Sequence, residues 1–187
     1  MDLHIRPLTA SRWKDLETLF GERGACGGCW CMWPRLKRAE FQKQKGAGNK
    51  RAMKRIVQSG PPPGLLAYAE GRPIAWCALA PRETYRVLDN SRILKRVDDQ
   101  PVWSVVCFFV AKSFRRCGLT AKLLDAAAVY ARKHGARIVE GYPVDPKPGA
   151  PSTDVFAWTG LASAFRKAGF EEVLRRSPTR PVMRRQV

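Results

Sequence analysis

The sequence predicts a single mixed α/β domain. Three observations lead there. Apolar stretches of strand length recur along the chain, and stretches with a helical apolar stripe separate them. The length of 187 residues, 45% of them hydrophobic, suits one domain with a sizeable core.

The elements follow in order. "LHIRPL" at 3–8 alternates apolar and polar residues and predicts a strand. Thr9 or Ser11 can cap a helix that buries Trp13, Leu16, Leu19 and Phe20, with Gly21 and Gly24 ending it. "GGCWCMWP" is a loop whose Trp30, Met32 and Trp33 need cover. A basic helical stretch covers about 36–58, interrupted at "GAGN", where Asn49 can cap the second half. "SGPPPG" is a stiff connector. "LLAYAE" and "PIAWCALAP" form a hairpin with Gly71 in the turn. Residues 82–99 are polar, a loop with a short helix. "VWSVVCFFV" at 102–110 is almost continuously apolar and predicts a strand buried on both faces. A helix over 118–134 carries Leu119, Leu123, Ala127 and Tyr130 on one stripe. "ARIVEGYPV" is the next strand and "DPKPGAPSTD" a loop. A short helix then ends at Gly169, and "FEEVLRR" and "PVMRR" close the chain as strands. The predicted order is β-α-α-β-β-β-α-β-α-β-β.

Composition narrows the class. The longest apolar run, 103–111, is less than half of the ~20 residues a bilayer needs, so no membrane span is expected. The polar start "MDLHIRPLTA" is unlike a secretory signal and points to the cytoplasm. There the six cysteines read as reduced thiols. Cys26, Cys29 and Cys31 crowd into "CGGCWC", but no second CxxC and no nearby histidine completes a zinc ligand set, so they read as packing thiols. Lys and Arg number 34 against 16 acids, a net charge of +18. That field favours anionic partners: nucleic acid, an anionic surface or phosphorylated ligands. It is concentrated at Arg35, Lys37, Arg38, Lys43, Lys45, Lys50, Arg51, Lys54 and Arg55, with Glu40 the sole acid among them, and again in the arginines of the tail.

"FFVAKSFRRCGLTAKLL" at 108–124 carries the chemistry. A strand stops, two arginines and a glycine follow, and a helix begins. The first N–H groups of a helix lack intrahelical acceptors and bear partial positive charge. Gly118 permits close approach, and Arg115 and Arg116 add charge at the rim, so the turn suits a pyrophosphate. It is neither a Walker loop nor GxGxxG.

This segment resembles the V-x-x-x-x-[QR]-x-x-G-x-[GA] signature of the GNAT superfamily of N-acetyltransferases, through Val110, Arg115 and Gly118. Thr120 stands where the family has Gly or Ala. "HGARIVEGYPV" and "FRKAGFEEV" follow in the family's order, so the resemblance covers nearly the whole chain. It implies one domain over 1–187, with a mixed, mostly antiparallel sheet of six to seven strands, flanking helices and a splayed central strand pair, 102–110 and 137–143. It implies acetyl-CoA as cosubstrate, held by a core at 102–143. Phe108, Phe109 and Val110 would run beside the pantetheine arm. The N–H groups of Arg115, Arg116, Cys117, Gly118, Leu119 and Thr120 would hold the pyrophosphate. The acceptor would enter on the other side, near the basic segment 24–60 and residues 82–99. A monomer or a homodimer fits the family.

In the chemistry so implied, an amine attacks the thioester directly, and a backbone N–H at the end of strand 102–110 stabilises the oxyanion. Many family members protonate the leaving thiolate with a tyrosine four residues before the final "GF"; here that position is Phe165. Tyr142, Ser163 or a water are the substitutes, and Glu140 with Tyr142 can order a proton relay. Each has a plainer reading, as a packing ring and a solvated carboxylate. Cys107 reads as a core thiol rather than an acyl carrier.

Three acceptor readings stay open. The first is a small, non-cationic amine, since a cationic surface repels polyamines and aminoglycosides. The second is transfer RNA, as acyl donor or acceptor, bound by Lys43, Lys45, Lys50, Arg51, Lys54 and Arg55 with Trp30 and Trp33 for stacking. The third is a CoA-binding module without chemistry.

Overall fold

The computed structural model describes residues 2–147 and 157–187. The predicted loop 145–154 therefore lies mostly outside the described residues. Seven strands form one sheet: β1 (Leu3–Pro7), β2 (Gly64–Ala69), β3 (Arg72–Pro81), β4 (Trp103–Val110), β5 (Ile138–Gly141), β6 (Glu171–Arg175) and β7 (Pro181–Gln186). Their spatial order is β1-β2-β3-β4-β5-β7-β6, and each neighbouring pair is antiparallel except β4 with β5. The helices are α1 (Trp13–Phe20), α2 (Arg38–Lys43), α3 (Ala47–Ser59), α4 (Arg86–Asp89), α5 (Leu119–Lys133) and α6 (Ala162–Lys167). This is the expected fold class.

The sheet is covered on both faces, which is why its central strands read as apolar runs. Trp76, Ala78 and Ala80 of β3 pack toward α1, α3 and the loop 24–33. Ala75, Cys77 and Leu79 pack toward α5 and α6. Trp13, Leu16, Leu19 and Phe20 make the buried stripe of α1, and Gly21 ends it at a φ of 62°.

Two features position the site. β4 and β5 are paired over three positions, Trp103 with Val139, Ser104 with Glu140 and Val105 with Gly141. β5 then ends, and Val144 bridges to Leu161 instead, while β4 runs on to Val110. The pair therefore parts as expected, and the strand "ARIVEGYPV" is shorter than its apolar run. The second feature is a bulge. Against β3, Ala78 faces Cys107 and Leu79 faces Val105, so Val106 is the extra residue. Val106 and Cys107 consequently both join the layer on the α1 side, breaking the alternation of the strand.

Three local expectations change. Thr9 and Ser11 bond to each other through their side chains, and neither caps α1. Asn49 does not cap α3: its buried side chain donates to the Gly28 carbonyl at 3.1 Å, and Gly46, at a φ of 82°, precedes the helix. That bond ties the helix to the loop 24–33. β4 is fully covered only in part, since Trp103, Cys107, Phe109 and Val110 are half-buried.

Candidate active site

The turn between β4 and α5 has the geometry of an anion cradle. Gly118 precedes α5 at a φ of 73°, and Arg116 is also left-handed at 62°. A non-glycine residue held there costs about 1 kcal/mol or more, which is typical of functional turns. The first bond of the helix runs from the Lys122 N–H to the Gly118 carbonyl, so the N–H groups of Leu119, Thr120 and Ala121 lie ahead of the helical ladder. A Cβ at position 118 would meet nothing within 4 Å. Glycine is thus required for its backbone conformation, and the space above it is open. Arg115 donates from Nε to the Val110 carbonyl at 3.2 Å, which fastens the turn to the end of β4. Exposed backbone donors, open space and arginines fit a pyrophosphate.

The parted strands hold a buried polar cluster. The Tyr142 hydroxyl donates to Glu140 Oε1 at 2.6 Å, accepts from Arg82 Nη1 at 2.6 Å and lies 2.8 Å from Ser104 Oγ. Arg184 Nε donates to Glu140 Oε2 at 2.7 Å and its Nη atoms clamp Asp98. Arg82 also reaches Asp89 and the Leu94 carbonyl. Glu140 is therefore no solvated carboxylate; it is 1% exposed and held by two arginines. Burial, then the Glu140 charge, pushes the Tyr142 phenol well above its usual range, so it stays protonated. Sequence reasoning missed Arg82, Ser104 and Arg184: Arg82 stands in a polar stretch that carries no sign of burial, and Ser104 and Arg184 read as ordinary positions of strands.

Phe165 fills the other side of the seam. It is buried against Phe108, and its ring presses on Gly141 and Gly160, where a Cβ would collide with it. No proton donor stands there. Ser163 is exposed on α6, whereas Tyr142 lies where the strands part.

On the α1 side a cavity of about 230 Å³ opens onto Val106 and Tyr142. Its walls are mostly apolar, with Trp33 and Pro34 from the loop after α1, Leu88 and Leu94 from the 82–99 segment, and Trp158. Arg180 is its one charged lining residue among the described ones. Cys29, Cys31 and Cys107 belong to the core cluster on the same face of the sheet. Cys31 accepts the Trp76 indole N–H at 3.3 Å and shares that cluster with Cys107. The Cys107 contact, the indole and the nearby Arg35 lower the Cys31 thiol, while Cys107 is raised by the same contact and by burial. A Cys107 thiol so raised is a poor nucleophile, in keeping with a packing role. Among the described residues, no group of three or more His, Cys, Asp and Glu side chains is placed to hold a metal ion.

The six predicted nucleic-acid residues divide between two faces. Lys43, Lys45, Arg51 and Arg55 line one cleft of about 300 Å³ together with Gln44 and Gly48. Lys50 instead pairs with Glu17 at 2.7 Å and lies over Trp30, and Lys54 lies over Trp13. Trp30 is not available to stack on a nucleotide: it is buried, stacked on Trp13 at 5.9 Å and packed on Phe20.

A sequence model described as the acetyltransferase (GNAT) family matches residues 30–156. Comparison with curated proteins returns no match. Among solved structures, PaiA N-acetyltransferase from Thermoplasma acidophilum, in complex with coenzyme A, is 15% identical, with all of both chains covered and a TM-score of 0.55. Polyamine N-acetyltransferase of Drosophila melanogaster is 13% identical, again with all of both chains covered, at a TM-score of 0.59. An aminoglycoside N-acetyltransferase in complex with CoA is 19% identical over 94% of this chain and 92% of its own, at a TM-score of 0.56. All three share the fold.

Proposed function

The chain belongs to the acetyltransferase (GNAT) family, whose cosubstrate is acetyl-CoA, and from that premise we propose that it transfers the acetyl group to the amine of a small, non-cationic molecule. The observation that carries this reading is the cavity at Val106 and Tyr142. It abuts the parted strands, it is of metabolite size, and no carboxylate lines it among the described residues. Polyamine-type acceptors need acidic walls; this lining offers one arginine.

In this proposal residues 102–143 form the donor half. N–H groups from 116–120 bind the pyrophosphate, the Arg115 N–H being turned instead to the Lys112 carbonyl, and Phe108, Phe109 and Val110 flank the pantetheine. Segment 24–60 and residues 82–99 supply the acceptor side. Bringing amine and thioester together removes the entropy of encounter. The bulge at Val106 sits midway along β4, where β5 parts from it, and can aim a backbone N–H at the oxyanion. Tyr142 is the proton donor to the departing thiolate. Glu140, clamped by Arg82 and Arg184, works as its positioning residue. Six free cysteines fit a reducing compartment such as the cytoplasm.

The four-cation cleft favours a second reading, in which a transfer RNA bound there supplies or receives the acyl group. The experiment is CoA release with a panel of amines, alongside a titration with acetyl-CoA. Reversing Arg115 and Arg116 to Glu should lower acetyl-CoA affinity at least about tenfold with the melting temperature nearly unchanged. Unchanged affinity would remove the cradle from the donor site.

A further inference from the structure

Arg180 stands out in the acceptor cavity. It precedes β7 (Pro181–Gln186), is half-buried, and makes one side-chain hydrogen bond among the described residues, from Nη1 to Thr159 Oγ1 at 3.2 Å. The other arginines of the tail are satisfied: Arg175 pairs with Asp145 and Glu172, Arg184 with Asp98 and Glu140, and Arg185 with Asp125, while Arg176 donates to the Ile93, Lys95 and Arg96 carbonyls. Arg180 has no carboxylate among the described residues. Burial alone acts on it, lowering its proton affinity, with no anion to offset the desolvation. A guanidinium that is partly dehydrated and unpaired retains unused planar donors, which match a carboxylate in bidentate geometry.

Its surroundings narrow the ligand. The same cavity is lined by Trp33, Leu88, Leu94 and Trp158 and by Val106 and Tyr142. Its lining thus combines a cation, apolar surface and the strands that part. Resting on the donor-site reading above, we infer that Arg180 receives the carboxylate of the acceptor, and that the acceptor is an amino acid with an apolar or aromatic side chain. Arg180 anchors the carboxylate, the tryptophans and leucines cover the side chain, and the amine meets the thioester. The amine nitrogen bonds to the acetyl carbon, the carbon–sulfur bond breaks, CoA leaves as the thiol with the Tyr142 proton, and the proton lost by the amine returns through water to the phenol.

The test compares L-phenylalanine and L-leucine with their primary amides and with the decarboxylated amines, phenethylamine and isoamylamine. CoA release is read for the wild type, Arg180→Gln and Arg180→Lys. The wild type should favour the free amino acids by at least about tenfold in kcat/KM. Arg180→Gln should erase that preference chiefly through KM, and Arg180→Lys should keep part of it. Acetyl-CoA affinity should be the same in all three. Equal or better use of the amides or amines by the wild type overturns the inference, and so does a preference that survives in Arg180→Gln.

Binding is measured as well, by calorimetry of N-acetyl-L-phenylalanine and its amide with the protein, with and without CoA. Tighter binding of the acid supports Arg180 as the anchor even without turnover. Equal binding, or none, overturns it. If Arg180→Gln fails to fold, the wild-type comparison decides alone. Loss of the donor-site reading shows separately, as absence of acetyl-CoA binding.

Discussion

At the scale of single residues, two aromatic side chains on opposite sides of the seam divide the work. The sequence shows that Phe165 stands where many members of the family carry a tyrosine, and the structure shows what makes room for its ring. It is wedged onto Gly141 and Gly160, which have no side chain to displace it. Tyr142, two positions after Glu140, was legible as a candidate; its partners were not, since Arg82, Ser104 and Arg184 arrive from distant parts of the chain. Tyr142→Phe should lower kcat by about 10²-fold or more if the phenol is the proton donor. It should also cost roughly 1–3 kcal/mol in stability, because Arg82 and Glu140 lose a buried partner. A kcat within twofold of wild type, measured on folded protein, would leave the phenol a purely structural role.

At the scale of elements, strands and long helices were readable because their apolar periods are local. The loop 24–33 was not. "GGCWCMWP" announces a turn and a need for cover, but not that Trp30 and Cys31 take left-handed conformations, at φ of 47° and 57°, to plug the core between α1 and β3. That outcome depends on Trp13, Phe20 and Trp76, none of them sequence neighbours. The basic stretch shows the same limit. Its charge was evident, while the faces were set by the packing of α3, which turns Lys50 and Lys54 toward Trp30 and Trp13 and leaves Arg51 and Arg55 in the cleft. Replacing Lys43, Lys45, Arg51 and Arg55 with Gln should leave acetylation of a small amine within about twofold and its salt dependence unchanged. A tRNA-dependent reaction would instead weaken sharply and lose much of its salt dependence, by about one phosphate contact per lysine or arginine removed.

At the scale of the whole molecule, fold class followed from element order and the splayed pair from the resemblance, but the electrostatic wiring across the sheet did not. Arg184 bonds hold Asp98 below the usual carboxylate range, and Arg166 and Arg175 do the same for Asp145. A carboxylate lowered on folding stabilises the protein above its unfolded value of about 4 and loses that contribution as pH falls through the lower folded value. Asp98→Asn should therefore lower the melting temperature at pH 7 by roughly 1–3 °C, a small effect because the pair is partly solvated. The difference from wild type should shrink toward pH 3, and a constant difference across that range would assign the effect to packing. The parting of β4 from β5 has a mechanical consequence. Within the sheet, β1 to β4 and β5 to β6 are stitched together by three residue pairs, and beyond them the edge of β4 is a row left unknitted. Loading the donor would lay a further strand into that gap and pair the free edge of β4, so amide exchange at 106–110 should slow on acetyl-CoA binding.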